Sequence, residues 1–310
     1  MIRIGATASY VPTERLSAAD YYAQGEISEA DLEGLKSRGV TSVPIEPAAS
    51  AEEMMIRTLH KLLEGSSIEP ASVKWLLVPY LNYAFRYDDP VLERIKSRFD
   101  LSRATCFSLR DLLCSNTLMA IQLAARMLEA EADEQATALI LCVEKCLLPD
   151  QRQGGGHFLT GDAAAALSLH AGTYGDKLLA FRAFSDVRTI QEGKMKNGQT
   201  EVPDYFYYVT LVKQIRQLLT DARIHHTDLS LIIPNNVTPE TWPLLARLLK
   251  LPVERFELEG FTRYGHLNNC DIVLNLDRIR NSNRLKKDDY YILLTLGNGG
   301  VVCCALCQKG

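Results

Sequence analysis

The second half of this chain repeats the order of the first, and that limits the folds open to it. Short apolar runs alternate with helical stretches in the same sequence twice. The first half gives IRIGATASYV, WLLVPYL, TCFSLRD, ATALILCVEK and AAAALSLHA; the second gives KLLAFRAFSD, LSLIIPN, RFELEGFTRYG, YYILLTLGN and VVCCALCQ. Apolar runs this continuous suit strands covered on both faces by helices. LLVPYLN (Leu76–Asn82) is answered by LIIPNNV (Leu231–Val237), each an apolar strand ended by proline. In each half a strand then leads into a helix, and two adjacent apolar strands finish the half. The pattern predicts two similar α/β halves, 1–172 and 173–310, each with a five-stranded mixed sheet, stacked around buried helices.

The stretch RDLLCSNTLMAIQLAARML (Arg110–Leu128) is the helix that decides where the chemistry sits. From Ser115 to Ala125 its residues are Ser, Asn, Thr, Gln or apolar, and Arg126 is the first charge. A helix apolar nearly all round is buried. Cys114 therefore falls at the N-terminus of a central helix, where the dipole and free N–H groups favour an anion and make a thiol nucleophilic. A buried cysteine can equally be a small apolar filler. The repeat bears on the choice. His266 also stands where a strand turns into a helix, so a pseudo-twofold axis between the halves would bring a thiol to an imidazole. That pair is the minimal apparatus for acyl transfer.

Composition excludes several classes. The 310 residues are 47% hydrophobic and 23% charged with a formal net charge of −4, and no charge block suggests nucleic acid or an anionic membrane. No apolar run reaches the roughly 18 residues of a membrane span, and MIRIGATASYVP does not read as a signal peptide. Eight cysteines without a secretion signal point to reduced thiols in the cytoplasm. Cys142 and Cys146, and Cys303, Cys304 and Cys307, lie in apolar strands without the tight knuckle that zinc prefers, so no metal is expected. His157 reads as part of a glycine-rich surface loop and His225 and His226 as exposed linker. The run Tyr205–Tyr208 reads as core or as tunnel lining.

Five segments in the right order, along nearly the whole chain, resemble the thiolase superfamily and within it the β-ketoacyl-acyl-carrier-protein synthase III branch. They are ISEADLEGLKSRGV, AEEMMIRTLHKLLEGSSIEPASVKWLLVPY, DLLCSNTLMAI, LTGDAAAAL (Leu159–Leu167) and LGNGGVVCCAL. The resemblance implies a thiolase-like fold in a five-layer αβαβα arrangement, with Cys114 as nucleophile. The N–H of Cys114 and one near Gly299 would form the oxyanion hole. It implies no bound cofactor but an acyl group carried on coenzyme A or phosphopantetheine, delivered as acyl-CoA or by an acyl carrier protein. Arg38, in a family motif thinned here to Arg38-Gly39-Val40, is the candidate for the coenzyme A nucleotide. Where relatives dock the carrier with an arginine, this chain has Glu240, and Arg247 and Lys250 on the next helix are the substitutes. Relatives form homodimers through the first-half sheet, so a homodimer is expected here too.

The departures set the expected reaction. The usual synthase takes a histidine from Pro-His-Gln-Ala-Asn and an asparagine from Tyr-Gly-Asn; here those places hold Asn235 and His266. The exchange is similar to a divergent set of acyltransferases of natural-product pathways that place the acyl group on oxygen or nitrogen, although that set generally has aspartate at Asn235. Losing the donors that stabilise a decarboxylation enolate removes electrostatic stabilisation, whereas a histidine beside an acyl-cysteine can deprotonate an alcohol or amine. The expected cycle is ping-pong: Cys114 takes the acyl group, and His266 activates a small acceptor. Asn235 orients His266 or binds the acceptor, with Asn236 as the other candidate. Asp271, five residues on, is expected to face another side of its helix and to matter little. Two other readings stay open, a decarboxylating carbon–carbon condensing synthase and a non-catalytic partner of an active paralogue.

Overall fold

Strand pairing in the computed structural model follows the repeat. The structure describes all residues except 83, 87, 186–204, 238, 298 and 299, and all side chains of those except 205–207. In chain order the elements are β1 (Arg3–Tyr10), β2 (Arg15–Ser17), α1 (Ala18–Ala23), α2 (Glu29–Ser37), β3 (Ser42–Pro44), α3 (Ala51–Glu64), β4 (Val73–Pro79), α4 (Val91–Arg98), β5 (Thr105–Leu109), α5 (Asn116–Ala130) and β6 (Thr137–Glu144). They continue with β7 (Ala163–His170), β8 (Asp176–Ser185), α6 (Tyr205–Ala222), β9 (Leu229–Pro234), α7 (Thr241–Leu249), α8 (Glu259–Tyr264), α9 (Asp271–Arg280), β10 (Tyr290–Gly297) and β11 (Val301–Gln308).

The large sheet runs β5-β4-β6-β7-β1-β8-β11-β10-β9. Its two halves mirror each other outward from β1 and β8. β1 pairs antiparallel with β7 as β8 does with β11, β7 with β6 as β11 does with β10, and β6 then pairs parallel with β4 as β10 does with β9. The halves are joined by the short β1–β8 contact, Arg3 opposite Lys177 and Ile4 opposite Asp176. One core encloses α5 and α9 between side chains of both halves. A second places α3 and α4 on the outer face of the first half, and a third places α6 and α7 on the outer face of the second. This is the five-layer thiolase-like arrangement. Local signals support it: α3 begins at a reciprocal Ser50–Glu53 capping box, which satisfies two free N–H groups.

Three details differ from expectation. RFELEGFTRYG is not a strand. Phe256 makes one parallel bridge to Ile232; the buried Glu257 carboxylate then accepts the N–H groups of Glu259 (3.0 Å) and Gly260 (3.3 Å) and starts α8 instead. Among the described residues the second half therefore has four full strands and a bridge where a fifth was expected. The small β2–β3 sheet is too short to show as an apolar run. Finally, α5 buries most of its uncharged surface but leaves Leu123 36% exposed, so one apolar stripe faces outward.

The β1–β8 seam is held by charge as well as by strand pairing. Asp176, at the start of β8, is fully buried and accepts from Arg280 (2.7 Å) and from the Tyr291 hydroxyl (2.6 Å). Arg280, at the end of α9, also donates to the carbonyls of Ile4 and Gly5. Burial opposes ionisation of Asp176, but Arg280 and Tyr291 outweigh it and hold its carboxyl below the usual range. A depressed carboxylate stabilises the fold above its unfolded pKa and loses that contribution as pH falls through the folded value. Removing one partner leaves the other charge buried and unpaired, so Asp176→Ala is expected to cost about 3–5 kcal/mol of unfolding free energy. Urea denaturation at neutral pH measures it, and a loss below about 1 kcal/mol would show that the seam does not depend on this pair.

Candidate active site

The two central helices begin in the same way. Each is preceded by a 3₁₀ turn, Leu113–Ser115 before α5 and Asn268–Cys270 before α9, and each turn opens on a left-handed residue, Leu113 (φ 54°) and Asn268 (φ 47°). The first residue of each helix reaches back to close its turn. Asn116 Oδ1 accepts the Leu112 N–H at 2.9 Å, and Asp271 Oδ1 accepts the Leu267 N–H at 2.8 Å. The second atom of each side chain is where the halves diverge. Asn116 Nδ2 donates to the carbonyls of Arg110 (2.8 Å) and Tyr80 (3.4 Å). Asp271 has an oxygen there, which accepts the Asn236 N–H at 2.8 Å and bonds to His266 Nδ1 at 2.6 Å.

That carboxylate sets the state of the imidazole. Ionised Asp271 is acceptor-only, so the Nδ1–H of His266 points at it and Nε2 faces the other way. Cys114 Sγ lies 3.2 Å from Nε2. The structure thus brings together Cys114 and His266, the two residues expected to meet, and adds Asp271 behind the imidazole. Burial works against a charged imidazole, but Asp271 and Cys114 outweigh it, and His266 is pushed up to about 10. The backbone of His266 is fixed independently. It donates to Leu159 O and accepts from Gly161 N–H, both at 3.0 Å, inside the LTGD segment. Gly265, at φ 67°, leaves no room for a Cβ, which would lie 2.5 Å from Leu159 O.

Behind the two turns lies a fully buried carboxylate that the sequence reading passed over. Glu144, at the end of β6, accepts from the N–H groups of Leu81 (2.7 Å) and Asn82 (3.1 Å) and from Asn269 Nδ2 (2.9 Å). Asn269 in turn accepts the Thr117 hydroxyl at 2.7 Å, which locks the start of α5 to the start of α9. Burial raises Glu144 to about 7, with these hydrogen bonds opposing it.

The other expected site residues fall as follows. Asn235 does not reach His266: its Nδ2 donates to Leu296 O at 3.0 Å and its Oδ1 accepts Leu296 N–H at 3.1 Å, so it clamps β9 to β10. Asn236 lies nearer, its N–H on Asp271 and its Nδ2 on Gly265 O at 3.0 Å. Asp271, expected to face away, is instead the partner of His266. The helical spacing behind that expectation fails because residues 266–270 form a bridge and a left-handed turn, not α-helix. Gly299 lies outside the described residues, but Gly297 packs its Cα against the nucleophile turn, where a Cβ would lie 3.0 Å from Leu112 O. Arg38 is engaged by Glu240 at 2.5 Å and donates to Gly156 O at 3.2 Å. Arg247 is exposed on α7. Among the described residues no group of three metal-ligating side chains forms, and no helix is long and apolar enough to cross a membrane.

Two family models match. Residues 219–309 fit the C-terminal region of 3-oxoacyl-[acyl-carrier-protein] synthase III, and residues 37–151 fit the FAE1/type III polyketide synthase-like family. Each match covers less than half of the chain, so together they mark a thiolase-like fold with synthase III-like segments in both halves. The chain is similar to β-ketoacyl-[acyl-carrier-protein] synthase III of Clostridium novyi (strain NT), 20% identical with 96% of each chain covered. It is also similar to that of Rhizorhabdus wittichii, 22% identical with 94% of each covered. Among solved structures, the acyltransferase ChlB3 superposes with a TM-score of 0.87 at 19% identity, covering 99% of this chain and 97% of that one. The synthase III of Aquifex aeolicus VF5 superposes with a TM-score of 0.83 at 17% identity over the whole of both chains. OleA of Xanthomonas campestris gives 0.79 at 14%, covering 99% and 98%.

The Asp271 contact has a direct signature. A histidine whose folded pKa is raised stabilises the fold below its unfolded value, near 6.5, and loses that contribution as pH rises through about 10. In Asp271→Asn the titration midpoint of the His266 ring protons is expected to drop by at least one unit, read by NMR. An unchanged midpoint would mean that the carboxylate does not hold the imidazole proton.

Proposed function

We propose that this synthase III-like protein is an acyltransferase of the ping-pong kind. Cys114 takes an acyl group from an acyl-CoA or acyl-carrier-protein thioester, and a small alcohol or amine then removes it. The observation that carries this reading is the Nδ1–H bond from His266 to Asp271. It leaves Nε2 with a lone pair toward the reacting atoms once the imidazole is neutral, so the ring accepts a proton rather than donating to a forming enolate. In the free enzyme Cys114 is one of the groups that raise His266. Acylation of the sulfur removes that contribution, lowers the imidazole pKa, and frees the ring to act as base in the second half-reaction. Asp271 takes the orienting role that sequence alone gave to Asn235. The same triad logic operates wherever a buried carboxylate fixes the tautomer of a catalytic histidine.

The similarity to ChlB3, described as an acyltransferase, agrees with this chemistry. The relatives named synthase III agree with a thioester donor. No bound cofactor is required, since the carrier enters and leaves with the acyl group. Arg38 would have to exchange Glu240 for a nucleotide phosphate, which makes exposed Arg247 the simpler contact for coenzyme A or a carrier. A homodimer through the first half fits the sheet edge at β5, where Cys106, Phe107 and Leu109 are half-buried.

Intact-mass measurement with a panel of acyl thioesters tests the first step. The native enzyme gains one acyl mass, and Cys114→Ala, still folded, gains none; an adduct in that variant would place the nucleophile elsewhere. His266→Ala is expected to slow acceptor-dependent turnover by about 10²–10⁴-fold. Acyl-loaded enzyme given malonyl thioester releases no carbon dioxide on this reading, and rapid release with a β-ketoacyl product would establish the condensing reaction instead.

A further inference from the structure

A second polar side chain touches the nucleophile. Asn268 is 4% exposed, and its Oδ1 lies 3.7 Å from Cys114 Sγ, where it accepts from the thiol. Its neighbours among the asparagines are all used elsewhere. Asn235 clamps Leu296, Asn236 holds Gly265 O, Asn269 joins Glu144 to Thr117, and Asn275 donates to Pro234 O at 3.1 Å. Among the described residues, Cys114 is the contact of the Asn268 carboxamide. The symmetry-related residue, Leu113, adopts the same left-handed turn with an apolar side chain. The turn therefore does not require an amide, although asparagine tolerates this backbone better than most residues.

From this geometry we infer that Asn268 is a catalytic residue whose Nδ2–H donates to the oxygen of the tetrahedral intermediate formed at Cys114. The inference rests on the acyl-transfer reading above. When Sγ attacks the thioester carbonyl, the S–C bond forms and the π electrons move onto oxygen as an alkoxide beside the sulfur. In the free enzyme Oδ1 faces the thiol; a half-turn of the carboxamide brings Nδ2 to that oxygen, which it stabilises without giving up a proton. Collapse restores the C=O bond and expels the donor thiolate, which takes the proton held on His266 Nε2. Addition of the acceptor to acyl-Cys114 forms the same oxygen a second time, so Asn268 serves both half-reactions, whereas the base function of His266 belongs to the second.

Two reactions of the same sulfur separate this role from a structural one. Alkylation by iodoacetamide is a displacement with no carbonyl oxyanion; acylation by an acyl thioester passes through one. Removing a single oxyanion donor typically costs about 10²–10³-fold. Asn268→Ala, and Asn268→Gly, which suits a φ of 47°, are expected to lose that factor in the acylation rate followed by intact mass. Both should keep the alkylation rate within about threefold and the melting temperature of the native enzyme. Acylation at the native rate in both variants would overturn the inference, as would an equal loss in both reactions, which would put the amide on the thiolate. If the native enzyme is alkylated at Cys114 but acylated by no thioester, the acyl-transfer reading itself fails, and that result is distinct from either.

Discussion

The bond between His266 and Asp271 organises this site. At 2.6 Å, with both groups all but inaccessible to solvent, it is a charge-assisted contact in a low-dielectric interior, where such bonds are strongest. It fixes the imidazole tautomer and aims Nε2 at Cys114, and the same carboxylate anchors the chain on both sides of the ring through Leu267 N–H and Asn236 N–H. Three donors converge on this carboxylate, the N–H groups of Asn236 and Leu267 and the His266 ring.

The site arises from a difference between two similar halves. Both central helices are entered through a left-handed residue, a 3₁₀ turn and a first-residue side chain that closes the turn on a backbone N–H. In the first half that residue is Asn116, and its amide nitrogen donates to carbonyls. In the second it is Asp271, and an oxygen in the corresponding place receives a histidine proton. An amide-to-carboxylate difference of one atom turns a structural cap into a charged partner. The convergence of the two turns, bound together through Asn269 and Glu144, then brings sulfur and imidazole into contact. The thiolase-like arrangement supplies the meeting point, and the side chains there supply the chemistry.

Much of this was legible in the sequence. The paired apolar runs predicted the strands of both sheet halves, and the uncharged stretch after Cys114 marked the central helix. The strand-to-helix transitions at Cys114 and His266 placed the two residues opposite each other. Asp271 was not legible, because a separation of five was judged on helical geometry, whereas the backbone there turns left-handed at Asn268 and brings residue 271 back under the ring. Its one visible sign was an acid opening a helix whose next three residues, Ile272, Val273 and Leu274, are apolar. Asn235 was misread for a related reason: its position next to Pro234 is right, but its carboxamide completes the β9–β10 pairing at Leu296. RFELEGFTRYG was read with the short apolar runs as a strand, and the cap made by Glu257 starts a helix there instead.

The account stands on which nitrogen of His266 carries the proton when acyl-Cys114 meets an acceptor. Nitrogen-15 NMR of the histidine-labelled acyl-enzyme reads this directly. The account predicts a protonated Nδ1, bonded to Asp271, and a bare Nε2 facing the thioester. A protonated Nε2 with a bare Nδ1 would make the ring a hydrogen-bond donor to the substrate, and would contradict the assignment of His266 as a base.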